Sequence, residues 1–505
     1  MNIHDEAIDQ ILFENNISNE WSDSVKNELK NIELSDSPHR KNLINKPFIT
    51  IDGADAKDFD DAIFCEYRRQ QTILSVAIAD VADLVKSGTA LDNEARERGT
   101  SIYFPSKVVP MLPEEISNNL CSLVPNEVRN VLVCRIVFSL KGEIEGYEFF
   151  EASIKSCLRA TYKSIDNFIN KKGALPGEIA KSIDALQNLT KVLLKKRYKR
   201  SALELDGAEP VLDLNELGEI KEIRISKRLF SHLMIEESML ATNVCAARYM
   251  KKHYGFGVFR IHEEPEELKI DALKNFFASK GLTSKPKKNP LEVISQCLEF
   301  SKGHQLKKSL QTVVLQSLKR AEYSTEDVGH FGLQLEQYAH FTSPIRRYPD
   351  LMVHRLIKDK LQKNKSKPNQ EQIELDCYEL SDLERQAEKA SRTVIQQIIC
   401  HHLKQFIGDD FDAMISGVTD FGIFAEIDNF YVSGLIHVSD LPGDRYIFDK
   451  ISGVLKGKKT GRSFRQGQNI RVKINNVLPY ELSLIHISEP TRLRRISYAG
   501  FCLKK

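Results

Sequence analysis

The chain has 505 residues, 41% of them hydrophobic and 28% charged, with a formal net charge of +2. That length exceeds one ordinary core and implies about three structural units, while near-neutrality neither requires nor excludes a nucleic-acid partner. No apolar run is long enough for a bilayer, the start Met1-Asn2-Ile3-His4 lacks a secretory leader's basic head and apolar middle, and nine cysteines without a Cys-x-x-Cys pair argue against zinc or a disulfide framework, so the expected setting is a reducing cytoplasm.

Residues 1–45 read as a polar, peripheral helical segment, weakly amphipathic from Ala7 to Leu12 and from Trp21 to Ile32. Between 46 and 406, strands and helices mix without a sustained βαβ rhythm, which favours an α+β domain over a doubly wound parallel sheet. Strands are expected from Ile73 to Ile78, Val131 to Phe138, Ile220 to Ile225 and Gly257 to Ile261. Helices are expected from Ile179 to Tyr198, Arg228 to Tyr249, Ile270 to Ser279, Pro349 to Leu361 and Leu380 to Phe406. Lys/Pro runs from Lys285 to Asn289 and Lys363 to Pro368 read as exposed loops.

A boundary falls near Gly408-Asp409, and residues 408–482 carry short strands broken by Gly, Asp and Asn, the pattern of a small OB-type barrel. Phe421, Phe424 and His437 interleave with those strands as stacking surfaces for single-stranded nucleic acid do. The same aromatics could equally form the barrel's own core.

Two segments stand out chemically. From Ile51 to Ile63, Asp52, Asp55, Asp58, Asp60 and Asp61 fall within ten residues, between runs (Pro47 to Ile51, Ala62 to Phe64) that read as strands. A solvated acidic loop is the plain alternative. Two ionised carboxylates about 4 Å apart repel by roughly 4 kcal/mol at an effective dielectric near 20, so a cluster held off the surface needs shared protons or a cation. Magnesium, usually held by one or two carboxylates with water and substrate phosphate completing its shell, suits the cluster and points to phosphoryl chemistry. An EF-hand loop is a poor fit, because the turn glycine and ligand glutamate are missing and no helix pair brackets the run.

The second segment runs from Tyr338 through His340-Phe341-Thr342-Ser343-Pro344-Ile345-Arg346-Arg347-Tyr348-Pro349-Asp350 to Arg355, a loop feeding a helix. A helix start offers backbone donors to phosphate, and Arg346 and Arg347 add cationic forks. An ordinary helix start with a solvated arginine pair fits the same residues. A phosphate-binding loop at Gly453 to Thr460 fails, because its glycine spacing is one short and Lys459 stands where Ser or Thr is needed.

Together these segments resemble the ribonuclease II and ribonuclease R family of hydrolytic 3′ to 5′ exoribonucleases, with closer similarity to the ribonuclease R branch. Ser101-Ile102-Tyr103-Phe104-Pro105, followed by Pro110 to Pro113 and Asn119 to Leu123, and Glu236 to Asn243 resemble two further blocks of that family, in the same order. The resemblance implies that Asp52, Asp58 and Asp61 hold Mg2+ and that Asp60 is the carboxylate most needed for chemistry. It implies that Arg346 clamps the scissile phosphate, that Tyr103 stacks on the 3′-terminal nucleotide, and that Tyr162 and Glu236 contact RNA. The activity so implied is stepwise hydrolysis of single-stranded RNA to nucleoside 5′-monophosphates, for RNA turnover, by a monomer. A binding protein of the same fold that has lost hydrolysis is the competing expectation.

The sequence departs from the family at both ends. Two OB-type modules normally precede the catalytic domain, so the chain reads as N-terminally truncated. Residues 483–505 resemble a translated sequencing adaptor rather than a closing strand and basic tail, which leads to the expectation that the barrel is incomplete, with an open edge.

Overall fold

Alternating and continuous apolar runs between Ile49 and Thr161 build one large sheet. In the computed structural model, which describes residues 3–32, 39–204, 210–215, 219–225, 227–282, 287–304, 307–364, 368–427, 430, 432–441, 443–449, 453–478 and 484–488, the first strands are β1 (Lys41–Asn42), β2 (Ile49–Asp52), β3 (Asp61–Arg68), β4 (Gln71–Ala79), β5 (Ile102–Tyr103), β6 (Val108–Val109), β7 (Val128–Ser139), β8 (Ile144–Lys155) and β9 (Leu158–Thr161). Seven of them run in the order β1-β8-β7-β4-β3-β2-β9, and β5 pairs with β6 as a separate hairpin. Pairing is antiparallel except at β1–β8 and β2–β9.

β4 is buried continuously from Leu74 to Ala79, as befits a central strand covered on both faces. Helix Gly177–Lys199 packs on β3 and β4 through a stripe that includes Ile179, Ile183, Leu186 and Leu193, the spacing of one helical face. Its Ser182 hydroxyl accepts the Cys65 N–H at 2.9 Å. Helix Phe230–Tyr254 lies on β4 and β7. This is the α+β arrangement the sequence indicates.

The chain divides into two compact units, Leu12–Gly207 with Ser226–Ser391, and Met1–Ile11 with Ala208–Ile225 and Arg392–Lys505. Within the first, helix Tyr348–Leu361 is tied to the sheet by buried charge. Lys358 Nζ donates to Asp80 Oδ1 and Oδ2 at 2.7 and 2.6 Å, and Arg40 Nη2 reaches the same carboxylate at 2.7 Å and Asp83 at 3.1 Å. The Asp80 side chain is 0% exposed, and its removal leaves two buried cations with only the more distant Asp83 and Glu151, at 3.1 to 4.0 Å. Asp80→Ala is expected to cost about 3–5 kcal/mol in denaturant unfolding, and a loss under about 1 kcal/mol would mean that these charges behave as exposed pairs.

In the second unit, strands Asp410–Val418, Gly422–Ile427, Val432–His437, Asn469–Leu478 and Leu484–Ser488 form a closed barrel. The expected open edge is therefore corrected. Leu484–Ser488 pairs antiparallel with Asn469–Leu478 and in parallel with Val432–His437, because the free backbone groups on those two strands are met by the next strand-competent run in the chain. The remainder of the expected tail, 483 and 489–505, lies outside the described residues. Gly422 is required where it stands, since an added Cβ would sit 2.3 Å from the Ile436 carbonyl oxygen. A three-stranded sheet, Tyr446–Asp449, Val454–Gly457 and Ser463–Arg465, is inserted before Asn469 and is not anticipated from the sequence. Among the described residues no helix is long and apolar enough to cross a membrane.

Candidate active site

β2 ends on Asp52 and β3 begins on Asp61, so the acidic run is the connection between two paired strands. The connection is pinned. The Phe59 side chain is buried, its N–H donates to Ser122 Oγ at 3.0 Å, and that hydroxyl donates to the Lys57 carbonyl at 2.7 Å. Arg159, on β9, donates to the carbonyls of Ala54 and Ala56. A solvated acidic loop has none of these anchors.

Asp60 is 6% exposed. Its Oδ1 accepts the N–H of Ile345 at 2.9 Å, and its Oδ2 lies 3.9 Å from Arg346 Nε. One buried carboxylate thus joins the two segments that the sequence separates by 285 positions. The loop carrying Arg346 is shaped by Asn243, whose Oδ1 accepts the Phe341 N–H at 2.9 Å and whose Nδ2 donates to the Tyr338 hydroxyl at 3.3 Å. Asp350, fully buried, accepts the Ser343 N–H and the Arg347 guanidinium, both at 2.8 Å.

A cleft of ≈ 420 Å³ is lined by Asp52, Asp58, Asp60, Asp61, Tyr103, Tyr162, Glu236, Arg346 and Arg347 together with Asn243, Tyr338 and Ser343. Of the residues singled out in the sequence, nine therefore converge. Phe421, Phe424 and His437 lie in the barrel, where Phe421 is 45% exposed, Phe424 is half-buried against it at 6.0 Å, and His437 is exposed. Asn243 and Ser122 fall inside blocks noted in the sequence but without a role, and Arg159 and Arg197 escape sequence reasoning altogether, because all four act through hydrogen bonds to distant segments rather than through a local pattern.

Individual placements refine the expectations. Tyr162 starts helix Tyr162–Ile169 and stacks on His232 at 4.0 Å. Glu236 is already engaged, with Arg197 Nη1 at 2.6 Å and with Arg228. Although burial opposes it, these guanidinium partners hold Glu236 below the usual carboxylate range. Arg347 is not the solvated fork the sequence suggested. Its side chain is 18% exposed and committed to Asp350, whereas Arg346 is 42% exposed, with Nη2 donating to Ser343 Oγ at 3.1 Å. Tyr103 donates its hydroxyl to Asp58 Oδ2 at 2.7 Å.

The carboxylates are electrostatically unsatisfied. Burial, then Asp58, pushes Asp52 up to about 6 against the opposing pull of Arg159 and Arg346. Burial pushes Asp60 well up, Arg346 and the Ile345 N–H opposing. Asp61 is driven up by burial and by Asp52. Asp52 Oδ2 is buried with no hydrogen-bond partner. A divalent cation fits these residues, since it would supply the missing partner and offset the repulsion. Among the described residues no three potential ligands already close on one point.

The sign of the pH effect follows. Asp52 binds its proton more tightly in the folded chain than in the unfolded one, so in chelator the folded state takes up protons and its stability falls as pH rises from about 4 to about 6. Asp52→Asn is expected to flatten that slope in thermal melts, and Mg2+ to oppose it. A slope identical in parent and variant would rule the assignment out. Tyr103→Phe keeps the ring and removes the hydroxyl bond to Asp58, so kcat on RNA is expected to fall roughly tenfold with KM little changed. Loss confined to KM would place the hydroxyl on substrate instead.

Two family models match the chain, the RNB domain over residues 40–363 and the S1 RNA binding domain over residues 404–479. Ribonuclease R of Escherichia coli (strain K12) is 38% identical over 495 residues, 93% of this chain and 60% of that protein. Ribonuclease R of Thermotoga maritima is 37% identical over 458 residues, 88% of this chain and 64% of that protein. The chain thus spans less than two thirds of these relatives. Mycoplasma genitalium RNase R in complex with ribose methylated single-stranded RNA superposes with a TM-score of 0.91 at 29% identity, over 96% of this chain and 77% of that one. Yeast Ssd1, a pseudonuclease, shares the fold at a TM-score of 0.71 and 19% identity, over 89% of this chain and 58% of that one.

Proposed function

Because the chain belongs to the RNB-domain family, we propose that it is a divalent-metal-dependent exoribonuclease that removes nucleoside 5′-monophosphates from the 3′ end of single-stranded RNA. The observation that carries this reading is Asp60, buried between the Ile345 N–H and Arg346 in a cleft that also holds Asp52, Asp58 and Asp61. So much like charge beside one guanidinium serves cleavage of a phosphodiester better than passive binding, which needs cations and rings alone.

Asp52, Asp58 and Asp61 would hold Mg2+, whose chemistry when bound is to acidify water and to neutralise charge on the attacking and leaving oxygens. Asp60 fixes the arginine loop through Ile345 and orients the groups around the scissile phosphate. Arg346, partly exposed and steadied by Ser343, donates to the phosphoryl oxygens as charge develops. Tyr103 and Tyr162 give flat surfaces to the last nucleotides, and Glu236, fixed by Arg197 and Arg228, faces the ribose. The barrel's Phe421, Phe424 and His437 offer rings to single-stranded RNA.

The test is incubation of the chain with Mg2+ and an RNA bearing a single-stranded 3′ end. Release of 5′-mononucleotides that chelator abolishes is the expected result, and tight RNA binding without release would make the chain a binding-only relative.

A further inference from the structure

Helix Phe230–Tyr254 presents Glu236 to the cleft, and the next stripe around it, Glu237, Ala241, Val244 and Arg248, faces a second hollow of ≈ 260 Å³. Leu240 lines both spaces and is the wall between them. The far side of the hollow is built by the turn between β7 and β8 and by Lys196 and Arg200.

Its charges do not cancel. Lys196 is taken up by Glu143 at 2.6 Å and the Gly142 carbonyl at 2.9 Å, and Glu237 by Arg197 at 2.9 Å. Arg200 is half-buried, donates Nε to the Leu333 carbonyl at 3.0 Å and feels the Glu237 carboxylate, but makes no hydrogen bond to a carboxylate. Arg248 is exposed at the rim and makes no hydrogen bond or ion pair among the described residues. Three cations, Lys196, Arg200 and Arg248, thus meet two carboxylates, Glu143 and Glu237, and neither guanidinium is hydrogen-bonded to a carboxylate, in a space whose other wall, Phe138, Leu193 and Leu335, is apolar.

We propose that this chamber binds a phosphate-monoester dianion, seated on Arg200 and Arg248 with its organic part against the apolar wall. A nucleoside 5′-monophosphate leaving the adjoining cleft is the source that matches both halves, and the inference rests on the proposed function only for that source. Guanidinium forks suit phosphate oxygens, and a hollow of ≈ 260 Å³, just under the usual range for small-molecule sites, has room for no more than one small ligand. The chamber also communicates with the cleft. Arg197 Nη1 bridges Glu237 on the chamber side and Glu236 on the cleft side, at 2.9 and 2.6 Å, so a dianion brought up to Arg200 acts on the guanidinium that fixes Glu236.

The test is calorimetric titration of the full chain, in chelator, with AMP, adenosine and inorganic phosphate, repeated on Arg248→Glu and Arg200→Gln. AMP is expected to bind at least about tenfold more tightly than adenosine and to weaken by about tenfold or more in Arg248→Glu, an exposed change that leaves folding intact. Inorganic phosphate binding as tightly as AMP upholds the chamber and makes free phosphate its occupant. Adenosine binding as well as AMP, or AMP affinity unchanged in both variants, overturns the proposal. Because no turnover is read, a chain that titrates as expected yet releases nothing from RNA refutes the proposed function alone.

Discussion

Asp60→Asn is expected to slow mononucleotide release by roughly 10³-fold or more while leaving the chain folded and able to hold RNA. The substitution is nearly isosteric. An asparagine Oδ1 still accepts the Ile345 N–H that Asp60 accepts at 2.9 Å, so the arginine loop keeps its anchor. What disappears is the negative charge at the meeting point of the two segments. That charge is costly without a cation, because burial already drives the Asp60 proton affinity well up. In chelator and at neutral pH the variant should therefore melt at or above the parent temperature, which separates a chemical loss from a folding loss. Release within about tenfold of the parent would remove Asp60 from the chemistry, and a large drop in melting temperature would recast it as a structural residue.

The acidic run, the arginine segment and the tyrosine block are legible in sequence because each is local: residue types that repel or that break elements sit within a few positions of one another. Element placement is legible for the same reason. The stretch from Ile220 to Ile225 matches its strand end to end, and the helix expected from Pro349 to Leu361 begins one residue earlier, at Tyr348. The convergence is not legible by periodicity. It is set by Asp60 accepting from Ile345 and by Lys358 donating to Asp80, contacts between residues 285 and 278 positions apart. Arg347 shows the limit on the other side. A polar pair at a helix start reads as two equivalent cations, yet Asp350, one turn on, takes one of them into the protein and leaves Arg346 alone at the cleft. Barrel closure by Leu484–Ser488 depends on edges that exist only once the other strands have folded.

That division of labour between neighbouring arginines gives the second large effect. Arg346→Gln is expected to lower kcat by roughly 10²- to 10³-fold, since a donor aimed at developing phosphoryl charge contributes most in the transition state. RNA affinity, spread over many phosphates and rings, should change less than about tenfold. Arg346→Lys keeps the charge but not the fork, and should recover only part of the loss. Arg347 behaves differently. With its side chain 18% exposed and bonded to the fully buried Asp350, Arg347→Gln strands that carboxylate and should show first as about 3–5 kcal/mol of lost stability. Measuring kcat, RNA affinity and denaturant midpoint on the two variants side by side settles the assignment. If Arg346→Gln unfolds while Arg347→Gln stays folded and loses kcat, the roles are exchanged and Arg347 is the phosphate clamp.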